Sequence, residues 1–262
     1  MLEENSSILT ALKLPGRVFP LPSHGLFYKS GELANDVKDA EIMINSLSGL
    51  AEMKFRSADL LFSGKAVSEI IKECAPQVVK PEKLLSKDVD SILAFIRLVT
   101  YGQFVSVGAK HNCENAKDHT YEIDLERIIN ESKLLTEDNY KLFFKIKLKN
   151  NQEIDTTPLT WEDAITMLQI TTSTNMKTED VNKLYVTTLT GQIQSIDGVT
   201  DRNLIEQWVK VAPAPFTKQI QEAVTGGLDG WGADFSEKTK CKDCGQDLIL
   251  PLDLNPTSFF SL

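Results

Sequence analysis

The sequence predicts an α+β protein: an extended N-terminal arm, a small β-hairpin or zinc-ribbon-like element, and a mostly helical region. Three observations carry this. The first 35 residues are apolar yet broken by Pro15, Gly16, Pro20, Pro22 and Gly25. Residues 103–125 alternate as two strands around a polar tip holding one cysteine and two histidines. After Thr160 helical periodicities follow one another, and the chain then reaches Cys241-Lys242-Asp243-Cys244-Gly245. The predicted organisation is an arm over 1–35, an α+β domain over 36–159, a helical region over 160–235, and a tail over 236–262 packed on the 103–125 hairpin.

In the arm, proline fixes φ and removes a donor, so neither helix nor central strand suits Leu14-Pro15-Gly16 or Phe19 to Gly25. Its apolar residues, Val18, Phe19, Leu21, Leu26, Phe27 and Tyr28, favour an arm docked on its own domain. Glu41–Leu47 reads as a strand, and helices follow over 49–62 and 64–74. In the second of these, Val67, Ile70, Ile71 and Cys74 recur at helical spacing, which makes Cys74 an inert core cysteine. Ser86 reads as the N-cap of a helix over 87–99, with Val89, Ile92, Leu93, Ile96 and Leu98 on its apolar stripe.

Gln103–Val107 and Thr120–Leu125 are the hairpin strands, and a short helix covers 126–131. Tyr140–Lys149 alternates along its length: Tyr140, Leu142, Phe144, Ile146 and Leu148 share one face, and Lys141, Lys145, Lys147 and Lys149 share a solvated one. Asn150-Asn151 turns it into a partner strand over 152–158. Thr160-Trp161-Glu162-Asp163 resembles a capping box. A second helix runs from Thr178 to Ile196. Thr200 or Asp201 caps a third, which Pro213 and Pro215 end. A fourth starts at Phe216, and Gly226-Gly227 closes it.

Composition narrows the classes. The 262 residues are 42% hydrophobic and 25% charged, ordinary values for a globular chain with a real core. A net charge of -9 argues against a phosphate-binding, nucleic-acid surface. No apolar run approaches the roughly 20 residues that span a bilayer. The acidic start Met1-Leu2-Glu3-Glu4-Asn5 lacks the basic opening of a secretion signal, so the chain reads as cytoplasmic. In that compartment four cysteines bind metal or stay reduced.

The spacing of Cys241 and Cys244, with Gly245 straight after, is that of a metal knuckle. A tight turn aims both thiolates at one ion, and glycine permits the turn. No βαβ pattern surrounds it, which disfavours a redox dithiol. The other half of the site is expected at the hairpin tip. Cys113 precedes a strand ending Asp124-Leu125, as Cys241 precedes one ending Asp253-Leu254, so Cys113 is the third ligand. The fourth is His119, across the tip from Cys113, with His111 as the alternative; a single residue separates His111 from Cys113, a spacing expected to strain a shared site. His24 lies in a separate turn. Four protein ligands make a structural zinc site with no open position for chemistry. No HExxH, GxSxG, Walker or dinucleotide-binding motif is present, and the chain reads as a non-enzyme.

Several stretches, in order, carry a family resemblance: Leu21-Pro22-Ser23-His24-Gly25-Leu26-Phe27-Tyr28; Tyr101-Gly102 before the Cys/His hairpin; Tyr121-Glu122-Ile123-Asp124-Leu125; Cys241-Lys242-Asp243-Cys244-Gly245; Leu252-Asp253-Leu254-Asn255-Pro256; and Phe259-Phe260. Together they resemble the T4-type phage baseplate hub assembly family. The hairpin departs from that pattern, with Cys113 and histidines where the family has two cysteines. The resemblance implies a non-enzymatic role in tail morphogenesis, as an assembly factor or hub subunit, in the infected host's cytoplasm or the virion baseplate, with other hub proteins as partners. The apolar arm and Phe259-Phe260 are candidate docking surfaces. The alternative is a zinc-ribbon regulator of nucleic acid or polymerase; it needs a basic face near the knuckle, and Lys238, Lys240 and Lys242 are offset by Glu237, Asp243 and Asp247.

Overall fold

The computed structural model describes residues 15–57, 60, 64–114, 116–171 and 177–260, and its class is α+β. Residues 1–14 of the predicted arm, and 58, 59, 61 and 62 of the predicted helix over 49–62, lie outside the described residues.

Strand β1 (Arg17–Pro20) pairs antiparallel with β2 (Glu41–Ile44), so the described part of the arm is integral to the first core. Beyond β1 the prolines and glycines make successive turns: His24 N–H donates to Leu21 O (2.8 Å), Leu26 N–H to Ser23 O (3.2 Å) and Tyr28 N–H to Gly25 O (3.0 Å). Helix α1 (Gly49–Glu52) is capped by the Ser48 hydroxyl and runs into a 3-10 turn over Met53–Arg56. Helix α2 (Lys65–Cys74) buries Val67, Ile70, Ile71 and Cys74 on one face, as its periodicity predicts.

Helix α3 (Ser86–Tyr101) is the axis of this lobe. Ten of its sixteen residues are buried, including Asp88 and Arg97, because elements pack around most of its circumference. Its cap position falls on Leu85 instead of Ser86; the Ser86 N–H is taken by Leu159 O (3.2 Å). The turn segment 21–28 is fastened to α3 through Asp88. That carboxylate accepts from Ser23 N–H (3.0 Å) and from the Tyr28 hydroxyl, which itself accepts from Leu85 N–H (3.1 Å). Burial pushes the Asp88 carboxyl above its ordinary range.

Next come β3 (Phe104–Ala109), its antiparallel partner β4 (His119–Asp124), and helix α4 (Leu125–Asn130), capped by the Asp124 carboxylate. The chain then leaves for a second lobe. Strands β5 (Phe144–Lys147), β6 (Glu153–Thr156) and β7 (Ile193–Ile196) form one antiparallel sheet in that order. Helices α5 (Trp161–Thr171), α6 (Thr178–Gln192), α7 (Arg202–Val211) and α8 (Ala214–Leu228) complete the excursion. Leu148, Ile154, Leu189, Ile193, Ile196, Ile205, Val209 and Ile220 make the core of this lobe. Strands from below residue 159 and helices from above it therefore share one interior, and a boundary at 159/160 does not separate them.

Three predictions shift here. The strand expected over 140–149 contracts to Phe144–Lys147; Tyr140 packs edge-on to Phe27 instead (4.9 Å), and Leu142 is half exposed. The helix expected to reach Ile196 stops at Gln192, because β6 offers a ladder and Ile193 and Ile196 are buried by joining it. Gly227 lies inside α8, not after it: a Cβ there would lie 2.6 Å from the Phe144 ring. The Thr160/Asp163 box and the Asp201 cap form as expected.

The chain returns beside its own exit. Gly232 N–H donates to Lys133 O (2.7 Å), and Trp231, Leu85 and Leu135 make a small core at the crossing. Strands β8 (Ser236–Lys240) and β9 (Asp247–Pro251) form a hairpin, followed by the one-turn helix α9 (Pro256–Phe259). Leu250, Leu252, Phe259 and Phe260 are buried in the first core. Phe260 stacks on Phe55 (4.7 Å), and the Arg97 guanidinium lies over Phe259 (5.4 Å). The terminal aromatics are thus core, not a docking surface: they cover Phe55, Arg97 and Tyr101 at the ends of α1 and α3. Among the described residues no helix is long and apolar enough to cross a membrane.

Candidate metal centre

Two hairpins converge to build the site. In β3–β4 the register runs from Phe104 opposite Asp124 to Ala109 opposite His119, leaving 110–118 as the tip. In β8–β9 the last pair is Lys240 with Asp247, leaving the knuckle as the connection. Cys241 N–H donates to Gln246 O (2.8 Å) and Gly245 N–H to Cys241 O (2.8 Å). Gly245 has φ +72°, a left-handed conformation that glycine adopts without strain.

The knuckle is fixed to the first hairpin by its two middle residues. Lys242 N–H donates to the Tyr121 hydroxyl (3.3 Å), and its ammonium reaches Thr120 O (2.6 Å) over the Tyr121 ring. The Asp243 carboxylate accepts from Lys117 N–H (2.9 Å) and pairs with His119 Nε2 (2.8 Å). The Lys117 amide first, then His119, hold the Asp243 carboxyl below its ordinary value.

These ties bring His111, Cys113, Cys241 and Cys244 together, their ligand atoms all within 4.8 Å of one another. Cys113 Sγ lies 3.9 Å from Cys241 Sγ, and His111 Nδ1 lies 3.3 Å from Cys244 Sγ. Tetrahedral zinc, with Zn–S near 2.3 Å and Zn–N near 2.0–2.1 Å, separates its ligand atoms by about 3.6–3.8 Å. The four groups fit that ion. The charge pattern fits it too. Backbone N–H groups of Cys244 and Asp243 favour the Cys241 thiolate and lower its pKa. Burial, then the neighbouring Cys244 and Cys241 sulfurs, push the Cys113 thiol up to about 12. Three thiolates this close repel one another unless a cation lies between them.

The histidine that joins the three cysteines is His111, not His119. The ladder carries His119 to the end of β4, where Asp243 takes its ring. His111 and Cys113 sit in a tight turn, with Cys113 N–H donating to His111 O (3.0 Å), and the turn curls both side chains toward the knuckle. One intervening residue is therefore no obstacle. The His119–Asp243 brace has no signal in the sequence, since it depends on which hairpin faces which. The Asp88 clamp is equally silent; Asp88 reads only as an acidic residue in a helix's first turn. Cys74 is buried as expected, its thiol pushed up to about 12 by desolvation. His24 stays in its own turn at φ +51°.

Of the lysines near the knuckle, Lys240 pairs with Asp247 (3.0 Å) and Lys242 reaches Thr120 O. No protein family, curated protein or solved structure matches the chain.

Proposed function

We propose that this protein is a metal-stapled, non-enzymatic assembly component of a T4-type phage baseplate hub. In this reading zinc is held by Cys113, Cys241, Cys244 and His111 in a zinc-ribbon-like pair of hairpins, and other hub proteins are its partners in the host cytoplasm. The observation that carries it is where the resembling stretches fall. Leu21–Tyr28 is the segment clamped to Asp88, Cys241–Gly245 is the knuckle, and Phe259-Phe260 closes the first core. They are joints of one fold, the positions a family sharing that fold has reason to keep. A non-catalytic role accords with four protein ligands, which leave zinc no position for water or substrate. It accords also with the concavity of about 690 Å³ between α5, α6 and α7, where Asp163 is engaged by Thr160 and Arg202 by Thr190 O.

The test is deletion of this gene from a phage that carries it. Hubs should be missing or incomplete while other tail parts accumulate, and the wild-type gene in trans should restore them. Normal hubs and infectious progeny from the deletion would overturn the proposal. Mass spectrometry of purified particles distinguishes a hub subunit from a factor left behind in the cytoplasm.

A further inference from the structure

The four groups of the candidate metal centre lie in one cluster but are not equivalent in their contacts. The Cys113 and Cys241 sulfurs oppose each other at 3.9 Å, while the exposed Cys244 sulfur faces His111 Nδ1. We infer that Cys113 and Cys241 are a modification site for peroxide-class oxidants, forming a disulfide that replaces the metal as the cross-link between the two hairpins. The inference rests on the metal-centre reading for the competition between ion and oxidant; the sulfur pairing is independent of it.

A disulfide needs its sulfurs about 2.05 Å apart, so closure asks for an approach of about 1.9 Å. The competing Cys241–Cys244 bond would pull the Cys241 sulfur away from the backbone N–H groups of Cys244 and Asp243 that point at it. The step balances with hydrogen peroxide as the oxidant. One of the two sulfurs attacks a peroxide oxygen as its thiolate, the O–O bond breaks, and with one proton water leaves, giving a sulfenic acid. The other sulfur then displaces the sulfenic oxygen as a second water. Two sulfurs lose one electron each, and one peroxide is reduced to two waters. The new bond joins residues 128 apart in sequence, so the 236–260 segment stays tied to the first hairpin when the ion is gone. Oxidation exchanges one staple for another instead of releasing it.

The experiment treats reduced, full-length protein with a chelator and equimolar hydrogen peroxide, blocks the remaining thiols, and maps tryptic peptides without reduction. Trypsin cuts after Lys240 and Lys242, which separates Cys241 from Cys244 and makes the assignment unambiguous. The expected product links the 111–117 peptide to Cys241-Lys242. The same product should form in His111→Ala, which keeps all three sulfurs, and be absent from Cys113→Ser. Zinc in place of the chelator should slow it at least about tenfold, since bound ion removes the oxidisable form by mass action. A dominant Cys241–Cys244 or Cys113–Cys244 disulfide, or sulfinic acid without a cross-link, would overturn the inference. Zinc content of the reduced protein is measured first. Less than one equivalent there removes the metal reading and leaves the linked peptide still decisive; full zinc with no linked peptide after chelation removes this inference alone.

Discussion

The two lobes bury the same kinds of side chain and close in opposite ways. The second draws its core from one continuous excursion, Leu148 to Ile220, with β5–β7 and α6–α8 adjacent in sequence. The first draws on Phe19 to Ile129 and then needs Leu250, Leu252, Phe259 and Phe260 from beyond the other lobe. Local closure needs only short loops; closure by a distant segment must overcome the entropy of a loop longer than a hundred residues. That is where the structure gathers the His/Cys cluster, the Lys242 and Asp243 contacts, and the stacked Phe55–Phe260 pair. The lesson is that the His/Cys cluster and the aromatic lid sit at the same joint, where a remote chain end meets a core that is otherwise open.

The contrast can be broken most forcefully at the metal. Chelation, or Cys241→Ser, should lower the Tm of the first lobe by more than about 15 °C and leave the second lobe's transition in place. Trp208 packs on the second core, so fluorescence in a Trp161→Phe/Trp231→Phe background reports that lobe separately. Coincident, unshifted transitions would show that no ion supports the first lobe. Phe260→Ala should come next, costing about 3–5 kcal/mol in urea unfolding, because it removes a fully buried ring with no other group to fill its place.

Asp88→Ala should cost about 2–4 kcal/mol by leaving two donors, Ser23 N–H and the Tyr28 O–H, without an acceptor. Asp88→Asn keeps an acceptor and should cost far less. It also gives a signed pH test. The folded-state pKa of Asp88 lies above the unfolded value near 4, so the fold binds the proton more tightly. Stability from this group is full below that value and falls as pH rises through the folded pKa. The wild type should lose ground to Asp88→Asn across that window; parallel pH curves would refute the assignment. The smallest effect belongs to His119→Ala. Asp243 keeps its bond from Lys117 N–H, so Tm should shift least of all and zinc content should hold, whereas His111→Ala should lower zinc affinity. The reverse pattern would restore His119 as the ligand.

Patterns confined to one element were legible from residues alone. The buried face of α2, the Thr160/Asp163 box, the Asp201 cap and the knuckle at Cys241–Gly245 follow from spacing and side-chain chemistry, and the structure forms them. Patterns whose outcome depends on a neighbour were not. Ile193 to Ile196 suits a helix by position and a strand by branching, and β6 decides between them. Phe259-Phe260 reads as an exposed apolar end until Phe55 is placed beneath it.

The sequence by itself determined the α+β class, the three cysteines of the cluster and a choice of two histidines, because residue type and short-range spacing suffice for these. Only the tertiary structure decided that His111 takes the fourth position, that Asp88 fastens the N-terminal turns, and that the chain end is core. Each of those depends on which surfaces meet across more than sixty residues of chain, and that is fixed by packing of the whole fold and not by any local preference.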